Sequence, residues 1–241
     1  MRVQIPILMY HQIDQPPPSG TPLRGMVVSP GAFARQMKLI KLLGYKGLSM
    51  PELMPYLKGQ KEGKVVGITF DDGYRNNLKH ALPILKAAGF SATVYAVSNA
   101  IGRTNSWDAP LGIEMKRLMS EAELRTWIKA GMDVGAHSRD HIDLTRCHAD
   151  AVRDQIVGCR KDLEDALDAA VLHFCYPYGR YTSAHKRIVR AAGYQSATTV
   201  QRGRAGTGDS MYALPRVLVA QSTNLLHMLL KLKTRYEDRH R

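Results

Sequence analysis

The sequence predicts an α/β fold built on a parallel sheet, open or closed into a barrel, and three observations carry that expectation. Short β-branched apolar runs alternate with longer helical patterns, as parallel strands joined by helical crossovers do. Several helical patterns end on glycine, the residue that most readily takes the left-handed turn after a helix. At 241 residues with 44% hydrophobic content, the chain can bury one sizeable core, and α/β barrels of this length commonly form one domain. A single domain over residues 1–241 is expected.

The elements follow in order. Ile5 to Tyr10 reads as the first strand, ahead of a Pro/Gly-rich loop from Gln15 to Gly25. Ser29-Pro30 offers an N-cap and a first-turn proline to a helix from Gly31 to Leu43, which Gly44 stops. Further strands are expected at Val65 to Phe70, Ala92 to Val97, Met132 to Ala136, Leu172 to Tyr176 and Ser196 to Val200. Helices are expected at Asn76 to Ala88, Glu121 to Ala130, Ala149 to Ala170 and Ser183 to Ala192. The polar insertion Gly102 to Gly112, with Asn105, Trp107 and Asp108, is placed to shape access to a site. Asn224 to Lys233 is a leucine-rich helix whose default is packing over the barrel, before the charged end TRYEDRHR.

Composition excludes disordered and fibrous classes, with 7% aromatic and 23% charged residues. The net charge of +13 favours acidic partners, an anionic membrane surface or anionic glycans among them. Nucleic acid is disfavoured, because the basic residues are scattered and neither an RNA-binding signature nor finger spacing occurs. Cys147, Cys159 and Cys175 are odd in number and form no CxxC pair, against both a disulfide framework and a zinc knuckle. The opening MRVQIPILMYHQID has too short an apolar run for a signal peptide. A cytoplasmic location, or one on the inner membrane face, is therefore expected, with export if the natural start has been trimmed.

Polar residues cluster just after three expected strands, where parallel α/β folds place their sites. In Thr69-Phe70-Asp71-Asp72-Gly73, two adjacent carboxylates would repel if both were buried and charged, so a cation or a raised pKa is expected, an ordinary turn being the alternative. In His137-Ser138-Arg139-Asp140-His141, a four-residue spacing equals one helical turn and aims two imidazoles at one ion. Two His and one carboxylate leave coordination positions open, with zinc the default and manganese, iron, cobalt or nickel compatible with the same donors. Phe174-Cys175-Tyr176-Pro177-Tyr178-Gly179 reads either as a proline turn with packed tyrosines or as a rigid wall presenting a backbone N–H.

TFDDG, HxxxH and YPYG, in this order, resemble the NodB-homology polysaccharide deacetylases, carbohydrate esterase family 4. The likeness runs from Pro6-Ile7-Leu8-Met9-Tyr10-His11, similar to the opening of the poly-N-acetylglucosamine deacetylase branch, to Ala213-Leu214-Pro215-Arg216-Val217. It implies a distorted (β/α) barrel, Asp72, His137 and His141 as metal ligands, Asp71 as base and the Tyr178 amide as oxyanion donor. Where many members carry an arginine that orients the base, this chain has Cys175. The resemblance implies His11 as the acid, with His227 in Leu225-Leu226-His227 as the alternative. The reaction implied is metal-dependent N-deacetylation of GlcNAc-containing polysaccharide or lipid-linked glycan. A carbohydrate-binding protein that has lost catalysis, and a metal-dependent esterase on other acyl groups, are the alternatives.

Overall fold

In the computed structural model, which describes residues 4–238, eight parallel strands form one curled sheet. They are β1 (Ile7–Tyr10), β2 (Lys46–Leu48), β3 (Val65–Phe70), β4 (Thr93–Ala96), β5 (Asp133–Ala136), β6 (His173–Cys175), β7 (Ser196–Arg202) and β8 (Leu214–Leu218). Seven of them make a closed ring, because β1 pairs with both β3 and β8. The eighth, β2, lies along the first half of β3, on the edge whose second half pairs with β4. The expected α/β barrel is thus present, and its closure is distorted at β2. The last residues of the expected charged end, 239–241, and residues 1–3 lie outside the described residues.

Helices cover the ring: α1 (Pro30–Leu42), α2 (Met50–Leu57), α3 (Leu82–Ala88), α4 (Glu121–Lys129), α5 (Ala149–Arg153), α6 (Cys159–Leu167), α7 (Ser183–Ala191) and α8 (Leu225–Lys233). Ser29 caps α1 by accepting the Ala32 N–H, as the Ser-Pro signal predicts. Two expected helices begin or continue as π segments, Asn77–Ala81 ahead of α3 and Asp154–Gly158 between α5 and α6. α8 contacts α1 and buries Met228 and Leu232, while Leu225 and Leu226 remain exposed. No helix among the described residues is long and apolar enough to cross a membrane.

Two cores result. Between ring and helices, Tyr10, Phe33, Phe70 and Trp127 pack edge-on or stacked with centroids 5.2 to 6.0 Å apart. Inside the ring, Ile7, Tyr95, Cys175 and Leu214 meet Leu53, Met54 and Leu57 of α2, which plugs the end where the strands begin. Gly135 leaves room for the Tyr95 ring, since a Cβ there would stand 2.6 Å from it and 2.8 Å from the His173 carbonyl. The interior is therefore closed below and open only where the strands finish.

Three elements went unrecognised in the sequence. β2 is only three residues long, and α2 carries Pro51 and Pro55, which read as breaks. Pro55 stands inside the helix all the same, where burial of Met50, Leu53, Met54 and Leu57 outweighs the missing bond. β8 contains Pro215, which argues against a central strand.

Candidate active site

Every strand-end cluster reaches the same mouth. Asp71 and Asp72 follow β3, His11 follows β1, His137 and His141 follow β5, and Tyr178 lies just past β6. They line one cavity of about 740 Å³. The local chain is held in costly conformations there. Six non-glycine residues among those described have positive φ, and four of them are Asp72, Ser138, His141 and Tyr178. A left-handed residue costs about 1–2 kcal/mol, so the surrounding bonds must over-determine these turns.

The His137–His141 segment corrects the helical-turn expectation, because it is a loop. Positive φ at Ser138 and His141 is incompatible with a right-handed turn. Instead the His141 N–H donates to Ser138 Oγ (3.0 Å) and the Asp140 N–H to Gln155 Oε1 (3.0 Å). Arg139 donates to Asp154 (2.6 Å) and to both oxygens of Asp162 (2.8 and 2.7 Å). Gln155 and Asp154 lie in the π segment, so that irregular turn anchors the loop carrying both imidazoles.

Asp72, His137 and His141 converge, with one ligand atom from each within 4.8 Å of the others. Asp72 Oδ1 lies 3.4 Å from His137 Nε2 and 3.2 Å from His141 Nε2. His137 Nδ1 meets the Cys175 carbonyl at 2.8 Å. A carbonyl only accepts, so Nδ1 carries the proton and a neutral ring turns its Nε2 lone pair toward Asp72. Buried Asp72 Oδ1 has no hydrogen-bond partner. These buried donors suit a cation. The neutral ring is the form that would face a cation; without one, burial works against the Asp72 charge and the two imidazoles, as protonated N–H donors, hold its carboxyl well below the usual range.

Asp71 is treated differently. The fully buried Arg216, from β8, donates Nη1 to Oδ1 (2.6 Å) and Nη2 to Oδ2 (2.7 Å), a bidentate clamp. The same guanidinium reaches the Thr199 carbonyl (2.8 Å), Thr69 Oγ1 (3.1 Å) and Cys175 Sγ (3.1 Å). Burial raises the Asp71 pKa, and Arg216, with smaller contributions from His11 and His137, brings it below the ordinary value. The adjacent carboxylates are thus each met by their own partners, and neither pKa is raised.

Arg216 answers what stands in for an arginine at position 175: the guanidinium arrives from another strand. The sequence motifs assign Arg216 no role. Its signal was a charged residue inside the apolar stretch Leu214-Pro215-Arg216-Val217-Leu218, where burial demands a partner.

His11 stands 3.9 Å from Asp71 Oδ2 through Nε2, and its buried Nδ1 has no partner. Asn77 fixes that turn, donating to the His11 carbonyl (2.7 Å) and accepting the Ile13 N–H (3.1 Å). His227 lines the same cavity from the first turn of α8 and is exposed. Tyr178 packs edge-on against His141 at 4.8 Å, and Trp107 from the 102–112 insertion stacks on its ring at 4.4 Å. Gly179 has φ +66° and abuts Val200, so a side chain there would push the turn off β7.

A family model described as polysaccharide deacetylase matches residues 58–197. The "Putative polysaccharide deacetylase YxkH" of Bacillus subtilis is 30% identical over 219 residues, covering 90% of this chain and 72% of that protein. The poly-beta-1,6-N-acetyl-D-glucosamine N-deacetylase of Staphylococcus aureus (strain MRSA252) is 23% identical, covering 84% and 71%. Among solved structures, the Streptococcus pyogenes deacetylase PplD in complex with acetate superposes with TM-score 0.84 at 25% identity, covering 97% of this chain and all of that one.

Proposed function

The chain belongs to the polysaccharide deacetylase family of hydrolases, and on that premise we propose that it removes acetyl groups from N-acetylated amino sugars. GlcNAc-containing glycan is the substrate, with a divalent cation held by Asp72, His137 and His141. The observation that carries this reading is the pairing of two arrangements at one mouth: three convergent buried donors beside a carboxylate kept ionised by Arg216. The named activity of the Staphylococcus aureus relative supports the choice of substrate.

Once bound, a divalent cation supplies Lewis acidity, bringing the pKa of a water toward about 7 and polarising the acetyl carbonyl. Asp71, clamped as an anion, takes the proton as the water oxygen bonds to the carbonyl carbon. The Tyr178 backbone N–H faces the carbonyl oxygen as it gains charge, a role in which one donor contributes about 3 to 4 kcal/mol. His11 gives a proton to the sugar nitrogen as the C–N bond breaks, leaving acetate and a free amine. Zinc is the default ion for this donor set, and the Cys175 carbonyl, bonded to His137 Nδ1, would orient that ring as a ligand.

Acetate release from chitooligosaccharides by metal-loaded protein tests the reading. Chelation is expected to abolish release and added zinc to restore it; release that survives exhaustive chelation sinks the metal assignment. The net charge and the exposed Leu225 and Leu226 of α8 support peripheral contact with an anionic membrane surface as well. Cosedimentation with anionic vesicles at low salt is the expected result, and equal recovery with neutral vesicles removes that contact.

A further inference from the structure

The catalytic cavity has a second arm, walled by Arg202, Lys231, Tyr236 and Glu237, to which none of the proposed chemistry applies. Glu237 is 1% exposed and accepts from Arg202 Nε (2.7 Å) and from Lys231 Nζ (2.6 Å). The Tyr236 ring lies under both cations, 4.8 Å from the Arg202 guanidinium and 5.8 Å from the Lys231 ammonium. Arg202 Nη2 also donates to the Tyr236 carbonyl (3.4 Å). Among the described residues no second carboxylate pairs with either cation.

One carboxylate against two cations leaves a net positive charge on a cavity wall. The Lys231 side chain is 12% exposed, so water screens its ammonium poorly, whereas the Arg202 side chain is 40% exposed and reaches solvent. Both residues line the cavity, and Arg202 Nη1 and the remaining ammonium protons keep donor capacity while Glu237 and Tyr236 hold the side chains.

The register places this arm next to the reacting centre. β7 bulges against β8, so that Thr198 pairs with Leu214 and Arg202 pairs with Arg216. Bulges beside active sites re-aim side chains. Neighbouring strands lie about 5 Å apart, so the backbone of Arg202 is one strand away from the residue that clamps Asp71. Val200, which abuts Gly179 of the Tyr178 turn, lies between Thr198 and Arg202 on that bulge.

We propose that Arg202 and Lys231 form a subsite for an anionic group, a phosphate or carboxylate, carried by the glycan about one sugar ring from the acetamide that is cleaved. The subsite rests on the deacetylase reading of the same cavity. It makes the preferred substrate an acidic or phosphorylated amino-sugar chain, where a neutral one would leave the extra charge unmatched.

The test compares kcat/KM of the metal-loaded protein for diacetylchitobiose, diacetylchitobiosyl phosphate and diacetylchitobionate. The wild type should favour one of the two anions over the neutral sugar by about tenfold or more, with salt eroding the preference. Arg202→Gln and Lys231→Gln should each lower that ratio about tenfold, and whichever anion shows the larger drop names the source. A wild-type ratio near one for both anions overturns the subsite while acetate release upholds the deacetylase. Acetate from none of the three overturns both. Because the wild-type ratio needs no variant, a loosened tail in Arg202→Gln cannot obscure the result, and Lys231→Gln provides the second reading.

Discussion

Where the strands of the barrel finish, Asp71 and Asp72 are buried as anions, one clamped by Arg216 and the other facing two imidazoles. Where the strands begin, His173 and Asp133 occupy the first positions of β6 and β5 with hydroxyl partners, Ser196 Oγ at 2.8 Å and Thr93 Oγ1 at 2.7 Å. Burial pushes Asp133 up to about 6 and His173 down to about 3. Lys58 adds to the second shift and Glu52 to the first. Both groups at this end are driven toward their neutral forms. The same barrel thus holds charge at one end and suppresses it at the other, and the difference lies in the partner. A guanidinium or an imidazole keeps a buried carboxylate ionised, whereas a hydroxyl cannot repay lost hydration.

The largest expected effects come from breaking the Asp71–Arg216 pair. Arg216→Met leaves a carboxylate buried without its cation, a loss of about 3–5 kcal/mol of stability, and moves the acid limb of the pH–rate profile upward as the Asp71 pKa rises. Asp71→Asn should lower turnover by about 10²- to 10⁴-fold while the protein still binds its metal. The double variant should regain much of the stability lost in Arg216→Met but none of the turnover. Denaturant melts and pH–rate curves of all three check this. If Arg216→Met keeps the wild-type acid limb, the guanidinium does not set the state of Asp71.

How much of this was legible beforehand follows the same division. β3 was placed to the residue at Val65–Phe70, because a continuous apolar run ending in Thr-Phe-Asp-Asp-Gly is bounded by its own chemistry. Asp71, Asp72, His137 and His141 are readable as strand-end polar groups, His11 only through the family resemblance, and the structure brings all five to one cavity. The loop that aims His141 was misread, since left-handed turns at Ser138 and His141 depend on anchors in Gln155 and Asp162 that are distant in sequence. Arg216 was missed for a related reason. Its partner lies 145 positions away, and spacing rules see only near neighbours. At the opposite end, β2 and α2 were hidden by shortness and by two prolines, where burial overrode local propensity.

At the strand-start end, His173 sharpens the contrast through pH. Its folded pKa, about 3, lies below the usual 6.5, so its contribution is complete above pH 6.5 and is lost as pH falls toward 3, where the unfolded chain takes a proton the fold refuses. The drop is about 3 to 5 kcal/mol over that window. His173→Gln keeps a partner for Ser196 and removes the titration, so its stability should fall less between pH 6.5 and 4 than the wild type's. Parallel curves in urea melts would show that this imidazole is not held neutral by the fold.

Asp133 gives the smallest effect and the opposite sign. Its folded pKa, about 6, lies above the usual 3.8, so the fold binds the proton more tightly than the unfolded chain does. Stability is therefore greatest below pH 3.8 on this account and declines as pH rises through 6. The shift corresponds to about 3 kcal/mol at most. Asp133→Asn retains an oxygen for the Thr93 hydroxyl and carries no charge. At pH 8 it should be more stable than the wild type by that amount, and at pH 3.5 the gain should vanish. A gain of equal size at both pH values would point to packing. It would also leave His173 as the sole evidence that the plugged end of the barrel excludes charge.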